Sequence, residues 1–363
     1  MRRFKKELRY LGIGAIMLSM AAMTAGCSSK DKENTADAQV TSSPASGDNT
    51  NKEASAEPTK QSVQTEDLTF DSSVLRVGEE DVTYREVLIY ILQIKNKYEP
   101  SLGEAVWSYT PAGGEEFAKT AKKEILDQIT ETKIVKQQAK ELGIELGADE
   151  VDEVAVSTQE YLSKITKEDQ ERYGITQEMV QKVLEENYLY QKVYNIATNE
   201  VDTNISDDAA KQIKVQMIKV LTEGEDEDNT KIGMDEKEKQ AAKKRAENLK
   251  KQAEKEKDFA VYAAANSDVS TVEFTFGKGD YPEFEQQAFA LKQGQISDVI
   301  ETSNGYVILK LVSAFDENAT KEKKEEIIEE ERDKVFKEKY KIWSGDYKVT
   351  QDITKWDAMS FNI

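Results

Sequence analysis

The residue types that most often carry hydrolytic or metal chemistry are missing from this sequence. Its 363 residues include no histidine and one cysteine, Cys27. That excludes a Ser-His-Asp or Cys-His machine, the usual zinc sites and any intramolecular disulfide. The densest set of oxygen ligands is the acidic run "TEGEDEDNTKIG". Counting from Asp226, the sixth residue is Lys231 where a calcium loop of the helix-loop-helix kind needs glycine, and the twelfth is Lys237 where it needs glutamate. The run therefore reads as a solvated insertion, and no metal or cofactor is expected. What remains is apolar. Phe284 and Phe289 share the short helical stretch "FEQQAFAL", and before them "FGKGDY" offers two flexible glycines, Gly277 and Gly279, then Asp280 and Tyr281. Taken alone, two phenylalanines on one helix are core residues.

The elements that must position these side chains read as β-α-α-β-α-β-β. "IKVQMIKVL" is a strand. "MDEKEKQAAKKRAENLKKQAEKEK" places Ala242, Ala246, Leu249 and Ala253 on one face of a charged helix. "DFAVYAAANSD" is a shorter helix, "VEFTF" a strand, and "GQISDVIETSNGYVILKLV" two strands around a Ser-Asn-Gly turn. The succession predicts an α+β domain over 207–315, with helices on a four-stranded mixed sheet.

Ahead of it, residues 67–206 read as mainly helical. A strand with Val74, Leu75 and Val77 meets a turn, and Thr83 with Glu86 forms a capping-box pattern. A helix from about 115 to 142 follows, with Ile125, Ile129, Thr132, Val135, Ala139 and Leu142 on its stripe and Gly143 at its end. Further helices start after Gly147 and at Thr176. Residues 316–363 return to helix: Ile328, Val335 and Ile342 recur at seven-residue spacing, a narrow stripe that needs a covering surface. The closing "KWDAMSFNI" is too apolar to stay in solvent.

The first 26 residues are an address. A basic start and the apolar run "LGIGAIMLSMAAM" make a signal-peptide core, too short to span a bilayer of about 30 Å. "TAGCSS" resembles the lipobox of bacterial lipoproteins, which implies that Cys27 becomes the lipid-modified first residue of the mature chain. Residues 27–66 hold no aromatic and only Val40 and Val63 as larger aliphatics, so they cannot bury enough surface to fold and read as a tether. The net charge of −20 argues against nucleic acid, or anionic lipid itself, as the main partner.

"RVGEEDVTYREV", "ILDQITETKIVKQQAKELGIELGADEVDE" and "YGITQEMVQKVLEENYLYQKV" together resemble the N-terminal chaperone domain of the PrsA and SurA families of extracytoplasmic foldases. "DFAVYAAANSD", "FGKGDYPEFEQQAFALKQGQIS" and "SNGYVILKLV" resemble a parvulin-type peptidyl-prolyl isomerase domain. The resemblance implies a helical chaperone domain completed by the C-terminal helix, with the isomerase domain inserted between. It implies newly exported or unfolded polypeptides as partners, a bacterial membrane surface as location, and leaves room for a homodimer.

Carried over by position, the family's first-strand histidine falls on Met217 and its last-strand histidine on Val307. Its acid or thiol falls nearest Val272 or Glu273. The proline-pocket phenylalanine is kept as Phe284, with Phe289 on the same helix; the pocket methionine falls on Asp280, with Tyr281 beside it. Rotation about an X-Pro bond crosses a barrier of about 20 kcal/mol set by amide resonance and needs no covalent nucleophile. A pocket that grips the ring and dries the amide already helps. Losing one partner of a buried polar pair costs roughly 1–3 kcal/mol, whereas replacing both by apolar groups can be nearly neutral. The expectation is a foldase that keeps the isomerase fold with weak or lost activity. The alternatives are an active isomerase, or a lipoprotein that delivers a solute.

Overall fold

The computed structural model describes residues 68–111, 114–225 and 231–363. The signal segment, Cys27 and the tether lie outside them, as do residues 226–230 of the acidic run. Among the described residues no helix is long and apolar enough to cross a membrane. The chain divides into two compact units, one made of residues up to Val193 together with Trp343–Ile363, the other of Tyr194–Ile342.

The first unit is helical around a small sheet. Strands β1 (Ser73–Val77) and β2 (Glu80–Thr83) form a hairpin, and β9 (Val349–Gln351) pairs antiparallel with the other side of β1, Leu75 against Gln351. Helices α1 (Tyr84–Leu102), α2 (Phe117–Leu142), α3 (Ala148–Ser163), α4 (Lys167–Tyr173) and α5 (Gln177–Ala197) follow the hairpin. Thr83 caps α1 by accepting the Glu86 amide, but the reciprocal half of the capping box is not made. The Glu86 carboxylate goes instead to Lys133 on α2, 2.6 Å away, and to Lys182 on α5. On α2 the stripe Ile125, Ile129, Thr132, Val135 and Ala139 is buried; Leu142 is 54 % exposed, because Gly143 in the left-handed region (φ 67°) ends the helix beside it.

Residues 343–363 close this unit. Helix α10 (Ile353–Ala358) buries Trp356, and Phe361 stacks on Trp107 with ring centroids 4.2 Å apart. Lys95 donates to the Phe361 carbonyl and Lys122 to that of Asp357. The segment that rejoins the first unit thus begins at Trp343. Helix α9 (Glu317–Ser344), expected to return as a whole, falls in the second unit up to Ile342. Its buried positions are Thr320 and Phe336; Ile342, on the expected stripe, is 73 % exposed. Phe336 packs on Tyr194, whose hydroxyl donates to Asp333, so this aromatic pair rather than the heptad positions holds the helix.

The second unit is a four-stranded sheet in the order β6 (Glu273–Gly277), β3 (Gln212–Leu221), β8 (Gly305–Ser313), β7 (Ile300–Thr302). All three pairings are antiparallel, where a mixed sheet was expected. The reason is the pair of helices between β3 and β6, α6 (Glu236–Ala253) and α7 (Phe259–Asn266). One helix returns the chain for a parallel strand; a second reverses it again. Within the acidic run, β4 (Glu223–Glu225) and β5 (Lys231–Gly233) pair as an antiparallel ribbon.

Alternation along β3 and β8 sorts side chains to two faces. Ile218, Val220, Tyr306 and Ile308 face Ala242, Ala246 and Leu249 of α6 and Phe259 and Ala263 of α7. The other face carries Ile213, Val215, Met217, Val307, Leu309 and Leu311, covered by α8 (Glu285–Ala290) and the segment before it. Gly305 begins β8 because a Cβ there would run into the Val220 carbonyl.

Candidate functional site

The second face holds the side chains singled out in the sequence. In the β3–β8 register Met217 lies opposite Leu309 and Val307 opposite Lys219, so residues 217 and 307 are diagonal neighbours. Both join one buried cluster with Phe276, Phe284, Ala288, Ile300 and Leu309. Val307 is fully buried and Met217 is 8 % exposed. The buried side chains of that cluster are hydrocarbon, aromatic or thioether, while Lys219, directly opposite Val307 on β3, brings an ammonium to the same face by alternation.

Above the floor stands a group of rings. Phe276, at the end of β6, is met edge-on by Phe284 at 5.8 Å and by Phe289 at 6.0 Å. Tyr281 stacks on Phe284 at 4.9 Å and 17°, presents its edge to Phe276 at 5.1 Å, and tilts against Phe274 at 5.2 Å. Phe284 is 6 % exposed and Tyr281 is 41 % exposed. Phe289 is half-buried, with the Lys211 ammonium 6.0 Å above its ring.

The loop that carries Tyr281 is clasped by carboxylates. Asp280 accepts from the Gly277 amide at 2.7 Å, Glu285 from the Gly279 amide at 2.7 Å, and Glu283 from the Ser303 amide at 2.6 Å. The hydrogen bonds from Ser303 hold Glu283 below the ordinary glutamate value. Asp280 is therefore spent inside its own loop and does not line the ring cluster.

The acid position is also displaced. The Val272 carbonyl accepts the Met217 amide, but its side chain packs on the helix-covered side of the sheet. Glu273 pairs with Gln216, a position on that same side by alternation, and binds Lys214 at 2.6 Å. The hydrogen bonds from Lys214 and Gln216 lower its pKa, so it stays ionised and faces away from Met217 and Val307. The structure thus brings together Met217, Val307, Phe284, Phe289 and Tyr281, and leaves out Val272, Glu273 and Asp280. The site residues that sequence reasoning missed are Phe274 and Phe276; their signal was the alternation in "VEFTF", which sets both rings on one face.

Residues 220–313 match the PPIC-type PPIASE domain and residues 59–195 the SurA-like N-terminal domain. The chain is 28 % identical over 278 residues to the foldase protein PrsA of Caldanaerobacter subterraneus subsp. tengcongensis, covering 73 % of this chain and 82 % of that one. It is 26 % identical over 260 residues to the foldase protein PrsA of Clostridium botulinum strain 657, covering 65 % and 75 %. Among solved structures, the peptidylprolyl isomerase PrsA from Bacillus anthracis shares 20 % identity, with a TM-score of 0.32, over 60 % of this chain and 96 % of that chain.

Proposed function

Since the chain is a parvulin-type, PrsA- and SurA-like foldase, joining a SurA-like N-terminal domain to a PPIC-type PPIase domain, we propose that it binds unfolded, newly exported polypeptides while its PPIase domain turns X-Pro bonds weakly or not at all. The observation that carries this reading is the buried pair: Met217 and Val307, the positions onto which the resemblance carries two histidines, are diagonal neighbours packed in one apolar cluster. Electrostatic help for the twisted amide needs donors preorganised at the reacting bond. The cluster has rings to hold an apolar segment, and the carboxylate nearest the family's acid position, Glu273, faces away from it.

The lipobox supports attachment to the outer face of the membrane through lipid on Cys27. Several acyl chains, at about 0.8 kcal/mol per buried CH₂, would make the anchor stable. Fatty-acid labelling of cells tests it, and a Cys27→Ala protein that still takes up label would end that part of the reading.

The catalytic part is tested by a protease-coupled proline-peptide assay beside a histidine-bearing PPIC-type domain. The expected kcat/KM is lower by about 10²-fold or more. A comparable rate that Phe284→Ala abolishes would make the chain an active isomerase. The chaperone part is tested separately, by aggregation of an unfolded client: substoichiometric suppression is expected, and none at several-fold excess would refute it.

A further inference from the structure

Phe284 is the ring the family pattern assigns to gripping proline, yet it is almost closed to solvent. The core cluster buries part of it, and Tyr281 stacks on one of its faces at 4.9 Å and 17°, so a pyrrolidine ring using that face has to displace Tyr281. We propose that Tyr281 is a gate on this site: its ring occupies the proline position in the free protein and must swing out before a prolyl segment can enter.

Three features make the gate movable. Tyr281 is 41 % exposed, so its outer face is already in solvent. Among the described residues its hydroxyl makes no hydrogen bond that would break on leaving. Its C-terminal side is anchored, since the Tyr281 carbonyl accepts the Phe284 and Glu285 amides, so the ring leaves by rotation of the side chain together with the loop before it. Gly279, at φ +96° with nothing near its missing Cβ, leaves room in the loop, while the Asp280 carboxylate on the Gly277 amide holds the loop in the closed form. A closed fraction lowers the apparent affinity for proline by the fraction open.

This proposal rests on the reading of the Phe284 face as the prolyl site, and not on the weakness of catalysis. The test uses the full chain and a fluorescein-labelled Ala-Ala-Pro-Phe peptide, with Kd from anisotropy. Tyr281→Ala should tighten binding by about fivefold, the scale of one aromatic stack, and Tyr281→Phe, which restores the ring, should restore the weaker affinity. Equal or weaker binding by Tyr281→Ala overturns the gate, as does the absence of peptide binding in every variant. If Tyr281→Ala fails to fold by thermal melt, Asp280→Ala decides by the same criterion, since it releases the loop and keeps the ring. Isomerase turnover in the unmutated chain would refute the weak-catalysis reading and leave the gate to be judged on the affinities alone.

Discussion

At the scale of single residues, the Met217 thioether and the Val307 isopropyl group are diagonal neighbours in one apolar cluster. Their packing makes a change to histidine informative. Val307→His alone puts an unpartnered imidazole at a fully buried position and should cost about 1–3 kcal/mol in urea unfolding. Met217→His is less severe, because that side chain keeps a little exposure. The two are diagonal neighbours, so the double variant should be more stable than the two singles combined would give, with a coupling of at least about 0.5 kcal/mol in a double-mutant cycle. Strict additivity would mean that the two imidazoles do not meet. Phe276→Ala, which removes the ring that Phe284, Phe289 and Tyr281 all contact, should cost about 3–5 kcal/mol.

At the scale of elements, the buried charge on α2 is the feature that sequence reading missed. Lys133 is fully buried and lies 2.6 Å from Glu86 of α1 and 2.6 Å from Glu186 of α5. Burial pulls its pKa down, but the two carboxylates outweigh burial and leave it above the usual lysine value. A raised lysine stabilises the fold fully below pH 10.5, its unfolded value, and that contribution is lost as pH rises through the folded pKa. Alkaline titration followed by far-UV circular dichroism should therefore unfold Lys133→Met at a lower pH than the unmutated chain. At neutral pH the same variant should be destabilised by about 3 kcal/mol, because Glu86 and Glu186 lose their shared buried partner and keep only the more exposed Lys182 and Lys136. Periodicity made the α2 stripe legible, from Ile125 to Ala139, and gave the Gly143 stop. It could not reveal Lys133, which sits one position past Thr132 and reads as a solvent-facing lysine until α5 is folded against it. The same limit applies to the sheet. Alternation in "IKVQMIKVL" and "GYVILKLV" fixed which residues share a face, whereas strand direction depended on how α6 and α7 reverse the chain, which no local pattern encodes. Tyr281 was legible as a neighbour of the pocket, but its stacking on Phe284 arises from a loop geometry set by the Asp280, Glu283 and Glu285 carboxylates.

At the scale of the whole molecule, the second unit is an insertion, and the first is assembled from two stretches far apart in sequence. Removing residues 343–363 should strip β1 of its β9 partner and Trp107 of its Phe361 stack. Hydrogen exchange should then show lost protection in β1, β2 and α1, with the central strands β3 and β8 still protected; equal loss in both units would mean that they fold as one. The pairing of Leu75 with Gln351 has a temporal consequence as well. A chain delivered from its N-terminus presents β1 long before β9 exists, while β3 and β8 of the inserted unit are complete much sooner. During its own delivery the protein must therefore pass through a stage with one sheet edge still vacant, needing shelter of the same kind that it is proposed to give to others.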